Sequence, residues 1–156
     1  MNMRSPGKNT EDPLKICECL EKKLDILKDF YSATASIKKC FDSWEVEEVD
    51  SLIQERAKCM DTVDRIDDYI LKIQSDNPTN LSSLPDQNRS LIEILTGGIE
   101  KTLRDISALD KKCNIAAALQ LGILKQALLD TMRDGHGLQG YRNNKPQVSR
   151  FLDMKL

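Results

Sequence analysis

The sequence predicts an all-α protein: an elongated antiparallel helical hairpin or coiled-coil bundle of three long helices, ending in a short C-terminal tail. Three observations carry this expectation. Apolar residues recur at alternating steps of three and four along three stretches, the signature of helices packed along a seam. Aromatic residues make up only 4% of the 156 and charged residues 31%, which suits long helices better than sheets. The 7 glycines and 5 prolines fall mostly near the ends and in one central gap, leaving long runs without a helix breaker.

Residues 1–11 are polar, lack periodicity and read as a flexible arm. A helical domain is expected over residues 12–134. Asp12 can cap the first free backbone N–H groups and Pro13 suits the first helical position. The first seam is then Cys17, Leu20, Leu24, Leu27, Tyr31, Thr34, Lys38 and Phe41. Asp42 and Glu45 have the spacing of a capping box for the next helix, and so tight a junction folds the two helices back antiparallel. The second seam is Val49, Leu52, Arg56, Cys59, Val63, Ile66, Ile70 and Ile73. Arg56 and Lys38 stand where apolar residues are expected, so their stems should pack while their charges reach water or an acidic neighbour.

Two prolines and a cluster of Asn, Asp and Ser over residues 75–86 mark the main connection. A third helical region follows to Asp134, with Ile92, Leu95, Ile99, Ile106, Leu109, Cys113, Ala116, Ile123 and Ala127 on one face. Gly97 and Gly98 each cost about 1 kcal/mol relative to alanine, which predicts a kink or break there. Residues 135–156, with three glycines and a proline, read as a tail.

The third helix is longer than its partners. The second helix should span roughly 48 Å and an unbroken third roughly 72 Å, leaving some 24 Å without a full-length neighbour. Its C-terminal half is apolar twice over: Ala116, Ile123 and Ala127 make one face, while Ala117, Leu121, Leu124 and Leu128 make another. Leaving the large side chains wet forfeits roughly 1.5 to 3 kcal/mol each. The tail, a second copy of the chain forming a homodimer, or an amphipathic segment of another protein could cover them.

Several function classes fit the residues poorly. The net charge is −2, from 23 basic and 25 acidic residues, so no global field draws the chain to nucleic acid or anionic lipid. The first residues lack an apolar signal region, and the longest apolar stretch, residues 115–124, is too short to span a bilayer. Five cysteines without paired CxxC steps suggest reduced thiols in the cytoplasm. His136 is the only histidine, in a loop-like Gly-His-Gly stretch, so one chain builds no histidine dyad, triad or two-histidine metal site. Neither a cofactor motif nor a phosphate cradle appears. VDRIDDYIL (63–71) resembles the opening helix of the all-α chorismate mutases, but residues 72–83 offer one cation where a dianion site needs several. The chain reads as a binding protein rather than an enzyme.

The order of motifs is more specific. SWEVEEVDSLIQERAKCMDTVDRID (43–67), IEKTLRDISALDKKCN (99–114) and the ending GYRNNKPQVSRFLDMKL (140–156) together resemble flagellar type III export chaperones of the FlgN and FliT kind. The resemblance implies a cytoplasmic chaperone that holds a late flagellar substrate and delivers it to the export gate. Its client would be a hook-associated junction protein or the filament cap, bound through a C-terminal amphipathic helix. Ala117, Leu121, Leu124, Leu128 and Met132 are then the expected client-facing residues. Tyr141, with Phe151 and Leu152, would form the docking tail for an export-gate component. The alternative is a coiled-coil regulatory or dimerising protein that sequesters a partner and has no role in export.

Overall fold

The computed structural model describes residues 8–76 and 84–135. Three helices account for nearly all of them: α1, Lys8–Ser43; α2, Val49–Asp76; and α3, Asp86–Arg133, with a short 3-10 turn at Val46–Glu48 before α2. α1 begins ahead of the expected cap, so residues 8–11 of the expected arm are helical and Pro13 lies inside the helix. Its missing N–H and its ring affect only the carbonyl of residue 9, in the first turn, where a proline is least disruptive. Pro13 is fully buried.

The junction between α1 and α2 is made differently from the expected capping box. Trp44 adopts a left-handed backbone with φ 60°. The Glu45 N–H donates to the Cys40 carbonyl at 3.0 Å and the Trp44 N–H to the Phe41 carbonyl at 3.4 Å. Those two bonds close a Schellman motif and reverse the chain at once. Asp42 stays in α1, accepting from Lys38 Nζ at 2.6 Å, and Glu45 makes no side-chain cap. A bulky residue at positive φ costs about 1–2 kcal/mol, so this corner is held in spite of its residue type.

The helices run up, down and up. Lys23 Nζ meets Asp67 Oδ1 at 2.7 Å near one end of the hairpin, and Ile37, Cys40, Phe41 and Val49 pack together at the other, so α2 is antiparallel to α1. Gly98 lies against Leu24 and the Cys113 thiol donates to the Thr34 carbonyl at 3.4 Å, so α3 runs parallel to α1. One core cluster takes Leu27 and Phe30 from α1, Val63 from α2, and Ile99 and Ile106 from α3. The second is closed on the α3 side by Cys113.

α1 is the shared element, packing along both α2 and α3. The expected α1 seam is mostly inward, but Tyr31 is exposed, and Ile16, Phe30, Ala33, Ile37 and Cys40 are buried off it. A helix with two neighbours needs a wider apolar stripe than a two-helix seam supplies. Arg56 reaches an acidic neighbour as expected, on α3: its Nη2 lies 3.2 Å from Asp110 Oδ1 and its guanidinium sits 4.6 Å from the Phe30 ring centroid. Gly97 and Gly98 do not break α3, which is continuous over 48 residues, about 72 Å. At Gly98 the small residue has a packing use, since a Cβ there would lie 3.3 Å from Leu24 Cδ2.

Candidate functional site

The functional interest concentrates where α3 outruns the hairpin. Leu121 is its last buried residue, at 4% exposure. Residues 122–133 continue the helix with no buried side chain among them, an overhang of about 18 Å. This is shorter than the length difference between α2 and α3 suggests, because the neighbour that covers α3 is α1, which runs parallel to it and ends at Ser43.

Two grooves flank α3 at this end, one on each side of Phe41. The first, about 350 Å³, runs between α1, α2 and α3, with Ile37, Phe41, Ile53, Ala117 and Leu121 as its apolar walls and the Arg56–Asp110 pair on one side. Leu124, Leu128 and Met132 carry its α3 wall onward at helical spacing, past the point where the hairpin turns back. Of the five expected client-facing residues, Leu121 therefore closes the bundle core. Ala117, Leu124 and Leu128 are half-buried, and Met132 is exposed.

The second groove, about 390 Å³, opens between the C-terminal end of α1 and the other flank of α3. Phe41, Trp44, Ile115, Leu119, Gln120 and Ile123 line it. Ile115, Leu119 and Ile123 are 62%, 64% and 57% exposed, and Trp44 48%. Gln120 is 4% exposed and among the described residues neither its amide nitrogen nor its amide oxygen has a hydrogen-bond partner, a deficit of about 1–3 kcal/mol. Sequence reading missed this site, because Trp44 and Gln120 belong to no seam and their placement depends on the corner at Trp44.

Between Lys112 and Asp130 the only charged residue is Lys125. The uninterrupted apolar run is short, but a longer stretch of α3 is apolar enough, by length and composition, to cross a membrane, and little of it is buried. So apolar a helix surface calls for another apolar surface against it.

All five cysteines are free thiols. Burial raises the pKa of each, Cys113 and Cys17 included, which disfavours the thiolate. Cys17, Cys40 and Cys113 are buried, and Cys19 and Cys59 partly so. Among the described residues no group of three His, Cys, Asp or Glu side chains could hold a metal ion. His136, Tyr141, Phe151 and Leu152 lie outside the described residues. No family model, no curated protein and no solved structure matches the chain.

Proposed function

We propose that this protein works by binding another protein, as a cytoplasmic flagellar export chaperone. Its client is the C-terminal amphipathic helix of a late substrate, a hook-associated junction protein or the filament cap. The observation that carries the reading is the α3 stripe that leaves the core at Leu121 and continues through Leu124, Leu128 and Met132 with no partner helix among the described residues. The client helix takes the place that α1 and α2 vacate, burying its own apolar face and ordering as it binds. Covering two leucines and a methionine contributes on the order of 5 kcal/mol before the ordering cost of the client is subtracted. Held this way, the client cannot assemble early. The tail, with Tyr141, Phe151 and Leu152, contacts the export gate in this scheme.

The motif order in residues 43–67, 99–114 and 140–156 directs the reading toward export rather than toward a regulatory coiled coil. Co-expression separates the two. A chaperone co-purifies with a hook-associated or cap protein in a complex that Leu124→Asp abolishes. A regulatory coiled coil leaves those proteins unbound.

A further inference from the structure

The outer flank of α3 has a symmetry that the client site does not use. Asp105, Ala108, Lys112, Ile115, Leu119, Ile123, Gln126, Asp130 and Arg133 share one face of the helix, and all nine are exposed. Read outward from Leu119, the spacing is four, three, four and three residues in both directions. A two-fold axis at Leu119 therefore sets this face against itself in an antiparallel helix pair, the isologous contact of a two-fold dimer. In that register Leu119 meets its own counterpart and Ile115 meets the partner's Ile123. At each end Asp105 meets the partner's Arg133, so opposite charges fall together twice. A shift by one turn of helix loses both matches.

We infer that a second copy of this chain occupies this face, making a homodimer through a seam about 42 Å long. The groove beside it supports the same occupant. Trp44, 48% exposed, lines it together with Leu119, so both copies bring this apolar ring close to the axis. The stripe of Leu124, Leu128 and Met132 lies on a different side of α3, so dimerisation leaves the client site open. The inference does not rest on the chaperone reading and is tested on the chain alone.

Light scattering or sedimentation of the full chain across the micromolar range tests it. The expected mass is about twice 17.7 kDa. Leu119→Glu, at an exposed position, should leave circular dichroism unchanged. It should raise the dimer dissociation constant roughly 100-fold or more, because it removes an apolar contact from both copies at the axis. Asp105→Arg alone should weaken the dimer about threefold to tenfold, and Asp105→Arg with Arg133→Asp should restore it. A mass that stays at 17.7 kDa overturns the inference. So does a dimer indifferent to Leu119→Glu, or one that the double charge swap fails to rescue.

Discussion

Gly97 and Gly98 sit side by side in α3 and should respond oppositely to alanine. In a helix interior alanine is favoured over glycine by about 0.8–1.0 kcal/mol. At Gly97 a Cβ meets nothing within 4 Å, so Gly97→Ala should realise that gain in full. At Gly98 the same methyl lies 3.3 Å from Leu24 Cδ2 and 3.8 Å from Cδ1, and Leu24 packs against the first core cluster. Leu24 must give by a few tenths of an ångström, which offsets most of the helical gain. For a chain of this size 1 kcal/mol shifts Tm by roughly 2–4 °C. Thermal and urea unfolding should place Gly97→Ala about that far above the parent, with Gly98→Ala close to it. If Gly97→Ala is neutral or destabilising, α3 is broken at this point and the continuous helix is wrong. If Gly98→Ala stabilises equally, α1 and α3 are not in close contact there.

Further outcomes follow from the core. Arg56→Met keeps the packed stem but loses both the Asp110 pair and the Phe30 ring contact; since these side chains are 23% and 42% exposed, the loss should be only about 1 kcal/mol by urea midpoint. Asp110→Asn leaves the ring contact and should cost less, and an equal or larger cost would show that the ring contact contributes nothing. Cys19 and Cys59 should be alkylated before Cys17, Cys40 and Cys113, as followed by mass spectrometry. Because burial raises the folded thiol pKa above the ordinary 9.0, the contribution of these thiols is complete below pH 9. It is lost as pH rises toward the folded value, since the unfolded chain ionises first. A Cys17, Cys40 and Cys113 to alanine variant should start less stable and fall less steeply above that pH.

The seams of α2 and of the first two thirds of α3 were legible in the sequence because each of these helices buries one stripe, and a single stripe repeats at steps of three and four. α1 was only half legible. Two neighbours bury two overlapping stripes, and the one made by Ile16, Phe30, Ala33, Ile37 and Cys40 runs beside the single seam that a two-helix hairpin requires. The corner was read at the right residues with the wrong device. The spacing of Asp42 and Glu45 satisfies a capping box, yet a backbone reversal at Trp44 satisfies the end of α1 sooner, and nothing in a tryptophan announces positive φ. In the sequence the glycine pair reads as a break because its cost is local, whereas the close approach of Leu24 that Gly98 accommodates comes from a residue 74 positions away. The excess apolar surface of α3 was plain from composition. That Leu121 ends the core while Leu119 faces outward depends on where the hairpin turns.

The overhang of α3 as a client site is tested by titrating the chain with labelled peptides. These are the C-terminal helices of flagellar hook-associated and filament-cap proteins, followed by fluorescence anisotropy. At least one peptide should bind and gain helicity, and Leu124→Asp should weaken it about tenfold or more while the unliganded chain stays helical and Leu119→Glu leaves binding unchanged. Binding that survives Leu124→Asp together with Leu128→Asp, or a full set of peptides that fail to bind, would contradict it.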